Sequence, residues 1–183
     1  MTLAAGSGMV YEGSLPLLLE PVAALPPPSQ LTLVNESNEL LLTNVLMMDD
    51  KHEQGGEYDE LLQEIKRQDI KLRLVMDLLG MLLMQHNLLP QPSAVRFSGE
   101  QLSLPDGRHP EIVDGGFAKC SLYLDASVPK PLVLFAQANG QETVSGEEWR
   151  LFAFTGTGQA VQDLLEKFIF RQHRRTVAQQ RRH

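Results

Sequence analysis

The residues with most to offer chemistry are five histidines, one cysteine and a terminal cluster of arginines. His52, His86, His109, His173 and His183 show no paired spacing with one another or with Cys120, so no metal site is expected. The single cysteine excludes an intrachain disulfide and a thiolate cluster within one chain, which points to a reducing compartment and hence the cytoplasm. The sequence contains no Walker A loop and no nucleophile elbow, so neither catalytic residues nor a cofactor are expected. Thr155-Gly156-Thr157-Gly158 could offer backbone N–H groups to an anion, but it lacks the full phosphate-loop pattern and reads better as a strand-to-helix turn. Asp106-Gly107 and Asp114-Gly115-Gly116 lack the carboxylate series of a calcium loop and read as tight turns.

The arginines remain. Residues 167–183 carry six Lys or Arg and no acid, whereas residues 1–166 carry 10 basic and 23 acidic side chains. Arg171, Arg174, Arg175, Arg181 and Arg182 could grip phosphates, because the guanidinium fork donates two parallel hydrogen bonds. They could equally complete a helix C-terminus, or hold an acidic partner or a sister subunit's acidic face. One short cationic tail on an acidic body, without a recognisable motif, argues against general binding of nucleic acid.

Any such group must be positioned by a chain of 183 residues, 43% hydrophobic and 21% charged, which suits one domain with an elongated attachment. The first basic residue is Lys51, so no secretory signal is expected. Lys71, Arg73, Asp77 and His86 interrupt the apolar stretch from Ile70 to Leu89, so no membrane span is expected. Residues 1–34, broken by Pro16, Pro21 and Pro26-Pro27-Pro28, read as an extended segment in which Tyr11 to Leu19 is apolar enough to dock. Asn35 can cap a helix reaching about Asp49, and Gly55-Gly56 marks a break.

From Glu57 to Leu89 there is no proline and one glycine, and Pro90 supplies a stop. A heptad with position a at Tyr58 places Ile65, Leu72, Leu79 and His86 at a, and Leu61, Gln68, Val75, Leu82 and Leu89 at d. Leu62, Met76 and Leu83 at e widen the stripe beyond a two-helix seam, so Tyr58, Leu61, Leu62, Ile65, Leu72, Val75, Met76, Leu79, Leu82 and Leu83 are the expected interface of a homo-oligomer, with a tetramer favoured. An antiparallel dimer of hairpins pairing residues 35–49 with 57–89 would satisfy much of the same pattern. After Pro90-Gln91-Pro92 the period falls to two, with strands expected at Ala94–Ser98, Glu100–Leu104, Phe117–Asp125, Leu132–Ala138 and Trp149–Phe154 and a turn at Asn139-Gly140. Thr157 can then cap a helix with Val161, Leu164, Leu165, Phe168 and Ile169 on one face. The division expected is therefore 1–34, a helical oligomerisation region 35–89, and an α+β unit 92–183 made of a small barrel, a helix and a basic tail.

The terminal Phe168-Ile169-Phe170-Arg171-Gln172-His173-Arg174-Arg175, together with Ser121-Leu122-Tyr123-Leu124, Pro129 to Leu132, and Tyr11 to Pro21, resembles the atypical, helix-extended PilZ-domain proteins of bacteria. The resemblance implies a six-stranded antiparallel barrel, no catalysis, self-association through the added helix, a signalling or motility protein as partner, and a place in cyclic di-GMP signalling. Members that bind cyclic di-GMP carry RxxxR ahead of the barrel and [D/N]xSxxG at its start. Here Met81 to Val95 contains no arginine, and taking Ser98 as the motif serine puts Arg96 in place of Asp or Asn and Gln101 in place of Gly. Arg171 and Arg175 form R-x-x-x-R on the terminal helix, a different location. Cyclic di-GMP presents two phosphates and two guanine edges, and each missing hydrogen bond to a charged group loses about 1.5–3 kcal/mol. Weak or absent binding at the usual site is expected; the rival expectation is a true receptor with a rearranged basic pocket drawn from Arg96, Ser98, Arg171, Arg174 and Arg175.

Overall fold

Six strands close into an antiparallel barrel in the computed structural model, which describes residues 9–50, 60–86, 89–107, 109, 111–125 and 128–180. In chain order the elements are β1 (Tyr11–Val22), α1 (Pro28–Asp50), α2 (Glu60–Gln85), β2 (Pro92–Phe97), β3 (Gln101–Pro105), β4 (Phe117–Leu122), β5 (Leu132–Val144), β6 (Glu147–Phe154) and α3 (Gln159–Gln180). Around the barrel the order is β1-β2-β3-β6-β5-β4. Both long helices α1 and α2 are thus inserted between two strands that pair with each other. Val95, Phe97, Leu102, Leu104, Cys120, Leu122, Leu132, Leu134 and Phe152 belong to the buried core, and burial pushes the Cys120 thiol up to about 12.

The first 34 residues are not a separate extended segment. Residues Tyr11 to Pro16 pair with β2 and Leu17 to Val22 with β4, so β1 changes partner halfway along and is the sixth strand. Each half uses one edge for its ladder, which is why Pro16 and Pro21, lacking an N–H, are tolerated. The helix expected from Asn35 begins at Pro28. The proline run therefore ends by starting a helix: the amides of Gln30 and Leu31 donate to the Pro27 carbonyl, and a missing N–H costs nothing at the first helical position. The boundary expected at residue 35 dissolves as well, because α1 packs against α3 and β5 and belongs with the barrel.

Asn35 is a mid-helix residue rather than a cap. Its side-chain Nδ2 donates to the Gly156 carbonyl at 3.0 Å and its Oδ1 accepts from the Gly158 amide at 3.1 Å. One turn on, Asn38 is buried; its Nδ2 donates to the Val133 carbonyl at 2.7 Å and its Oδ1 accepts from the Val133 amide at 3.1 Å. β6 pairs with β5 only from Ala136 onward, so Asn38 satisfies the stretch of β5 that β6 leaves uncovered. Asn139-Gly140 is not the hairpin turn but the irregularity within β5, where the pairing with β6 shifts. The turn lies at Ser145-Gly146, whose φ values of 52° and 87° suit a primed hairpin. At the β6 end, Arg150 Nη1 donates to the carbonyls of Ile112 and His109, with Asp106 Oδ1 3.7 Å from its Nε.

Candidate functional site

At about 1.5 Å per residue, the 26 residues of α2 span roughly 39 Å. Among the described residues no extended packing joins it to another element. Ile65, Leu72, Val75, Leu79 and Leu82 are exposed on a single subunit, and Met76 and Leu83 are half-buried. Leu61 and Leu62 lie in the first turn of α2, while Tyr58 falls outside the described residues. The expected helix from residue 57 to 89 is described only as Glu60–Gln85, and His86 beyond it is exposed. The heptad reading missed a second exposed set: Ile70, Leu74, Leu78 and Met81 occupy the opposite side. Asp69, Arg73 and Asp77, spaced by four, mark the polar strip between the two sets. A helix this apolar around its girth is made to be covered on more than one side. The signal was present in the sequence, since the apolar residues from 70 to 83 exceed what a, d and e can hold.

The residues proposed from the sequence for phosphate binding are dispersed and engaged. Arg96 sits on the outer face of β2. Its Nη1 donates to Glu142 Oε1 at 3.0 Å, its Nε lies 3.4 Å from Glu12 Oε2, and its guanidinium stands 5.8 Å from the Trp149 ring centroid. Two carboxylates and an aromatic face therefore already neutralise and cover the one arginine near the expected motif. Ser98 Oγ accepts from the amides of Glu100 at 3.2 Å and Gln101 at 3.3 Å, which makes it a turn-former between β2 and β3. The same turn abuts α3: a Cβ added at Gly99 would lie 2.9 Å from Glu166 Cγ.

Arg171 does other work on α3. Its Nη1 donates to the Leu46 carbonyl at 2.7 Å, tying α3 to the C-terminal end of α1. Because Asn35 meets Gly158 and Leu46 meets Arg171, α1 and α3 run side by side in the same direction. Arg174 stands 5.9 Å over the Phe170 ring, and Arg175 is exposed one residue further on. In the glycine-rich turn before α3, the Gly158 amide is already taken by Asn35 Oδ1. α3 begins at Gln159, two residues after the expected cap Thr157. Among the described residues no group of three or more His, Cys, Asp or Glu could hold a metal ion. Nor is any described helix long and apolar enough to cross a membrane.

The sequence reading also missed a cleft of about 360 Å³ beside the start of β1, lined by Met9, Asp163, Glu166, Lys167 and Phe170. Its signal was an aromatic, Phe170, on the solvent side of an amphipathic helix whose apolar face is Val161, Leu165, Phe168 and Ile169.

A family model described as an atypical PilZ domain, cyclic di-GMP receptor, matches residues 41–182. Among solved structures, the chain is similar to a pathogenic protein from Xanthomonas campestris, described as a new tetrameric PilZ domain self-assembled via an unusual helical bundle. The two share 26% sequence identity over 95% of this chain and 93% of that one, with a TM-score of 0.69. No curated protein matches.

Proposed function

Because this chain belongs to the atypical PilZ-domain family, we propose that it is a non-catalytic signalling adaptor that assembles through α2 into a parallel homotetramer. The observation that carries this reading is the free-standing apolar face of α2. Full burial of a leucine or isoleucine stabilises by about 1.5–3 kcal/mol, so each half-exposed side chain stands to gain on the order of 1 kcal/mol when covered. Summed over four copies, that is a strong drive to associate. The wide stripe favours more than two helices, and the similar Xanthomonas protein is described as tetrameric through a helical bundle.

In this reading the barrel is the part presented to a signalling or motility protein, in the cytoplasm. Cyclic di-GMP binds weakly or not at all at the usual site, because Arg96 is already held between Glu12 and Glu142. Arg171 is likewise engaged at Leu46, which weighs against the rival pocket built on the terminal arginines.

Light scattering of Leu72→Asp and Leu79→Asp tests the assembly. Leu72 is 62% exposed and Leu79 46% exposed on one subunit, so either aspartate leaves the isolated fold intact. Inside a bundle the charge would be buried without a partner, at a cost of several kcal/mol per helix. The expected result is a folded protein of monomer mass; variants that keep the wild-type mass would sink the interface.

A further inference from the structure

We propose that Asn139-Gly140 is a site of spontaneous covalent modification in the folded chain: the Asn139 carboxamide closes on the Gly140 nitrogen and leaves as ammonia, and hydrolysis yields aspartate or isoaspartate. This rests neither on the assembly of α2 nor on any ligand of the barrel.

Asn139 is the one asparagine of the sequence that glycine follows. Ring closure forms a bond to the nitrogen of the next residue, and a Cβ on that residue crowds the attack, so glycine removes the main steric barrier. The fold adds no obstacle, since an atom at the Cβ position of Gly140 would meet nothing within 4 Å. Both residues also lie outside the paired register. β4 pairs with β5 only as far as Gln137, Gly115 and Gly116 bond to Ala138, and the pairing with β6 passes from Ala138 directly to Gln141. Two residues thus face Leu151 alone, as a bulge, with Asn139 exposed and Gly140 at φ +85°. Main chain in a bulge can turn toward ring closure while the flanking pairs stay formed.

The comparable groups are tied down. Asn35 and Asn38 each make two side-chain hydrogen bonds and sit within α1, where the following amide is committed to the helix. Of the two Asp-Gly steps, Asp106 accepts from Gln141 Nε2 at 2.9 Å, and Gly115 donates its amide to Ala138 at 2.9 Å. An ionised carboxylate is besides a poor electrophile.

The step needs only water and base. Hydroxide takes the Gly140 N–H proton, the nitrogen bonds to Asn139 Cγ, and the Cγ–Nδ2 bond breaks, Nδ2 leaving with a proton from water as ammonia. Water then opens the cyclic imide. Opening at Cγ gives aspartate; opening at the main-chain carbonyl gives isoaspartate, whose backbone runs through Cγ and is one carbon longer. Either product brings a negative charge at neutral pH to a hairpin that already holds Glu142, Glu147 and Glu148. The extra carbon falls between Ala138, which anchors the turn at Gly115-Gly116, and Gln141, which anchors Asp106.

Storage of the full chain at about pH 6 and about pH 8.5, then peptide mass mapping and methyl transfer from S-adenosylmethionine by an isoaspartyl methyltransferase, tests the site. The expected result is a gain of ~1 Da confined to the peptide carrying residue 139, methylation of part of that product, and a rate at least tenfold higher at the alkaline pH. Asn139→Gln should abolish the gain and leave thermal unfolding unchanged, and Gly140→Ala should slow it at least tenfold. Asn38→Ala, weakened far from the bulge, should react at the wild-type rate. A folded chain that stays unmodified where a peptide of residues 136–142 reacts would overturn the proposal, as would equal reaction at Asn44 or a mass gain without isoaspartate. A rate that rises in Asn38→Ala with its unfolded population would place the chemistry in the unfolded chain and overturn the proposal as well.

Discussion

Asn38 offers the sharpest test of how the inserted helix is tied to the barrel. The side chain is 2% exposed and makes both hydrogen bonds of the Val133 peptide groups, at 2.7 and 3.1 Å. Truncation to alanine leaves a buried N–H and a buried C=O without partners, each costing about 1–3 kcal/mol if dry. A water admitted to the small space would return part of this, so a net loss of about 2–4 kcal/mol is expected. For a chain of this size that lowers the melting temperature by roughly 4–16 °C. Asn38→Leu is the decisive variant. Leucine is the better helix former and the more apolar residue, yet it excludes the rescuing water, so it should be no more stable than the alanine variant despite its larger buried surface. Thermal and urea unfolding followed by circular dichroism, at fixed protein concentration, measures both; Asn44→Ala on the exposed side of α1 serves as a near-neutral control. An Asn38→Leu protein as stable as wild type would show that apolar packing, not the strand-like pairing of Asn38 with β5, holds α1 in place.

Other expectations follow from the same structure. Burial raises the Cys120 thiol from 9.0 to about 12, so the native protein should resist thiol-disulfide reagents at pH 8 and react on unfolding. Because the folded value lies above the unfolded one, its contribution to stability is complete below about pH 9 and lost as pH rises toward 12, which alkaline unfolding curves of Cys120→Ala against wild type would expose. Gly156→Ala should destabilise by about 1–3 kcal/mol in chemical denaturation, since φ is +75° there and a Cβ would lie 2.9 Å from Leu31 Cδ1. Arg171→Ala should speed hydrogen exchange at the C-terminal end of α1 by about tenfold, through loss of a charge-assisted bond to Leu46 worth about 1.5 kcal/mol.

The α3 face, most of the strands and the stripe on α2 were legible because each is a local periodicity: Val161, Leu165, Phe168 and Ile169 repeat at helical spacing, and Cys120 and Leu122 alternate with neighbours on a strand. β1 was not legible. Its two prolines count against a strand locally, and only the switch from β2 to β4 at its midpoint makes them acceptable. Asn35 looked like a cap because asparagine caps helices, whereas its partners Gly156 and Gly158 lie more than a hundred residues away. The same holds for Arg96: its sequence position suggested phosphate binding, and no local rule could foretell that Glu12 and Glu142, far away in the chain, would meet it on the outer face of the barrel.

The sequence by itself determined that this chain holds a small β unit, a basic terminal helix and a long apolar helix with more greasy surface than one subunit can hide. Those properties depend on periodicity and charge, which are local sums over neighbouring residues. Tertiary structure alone decided which strand closes the barrel, which arginines are already neutralised, and where an acid, an aromatic and a cation line one cleft. These depend on contacts between residues far apart in the chain, and long-range contacts are set by which backbone and charged groups remain unsatisfied after local structure forms.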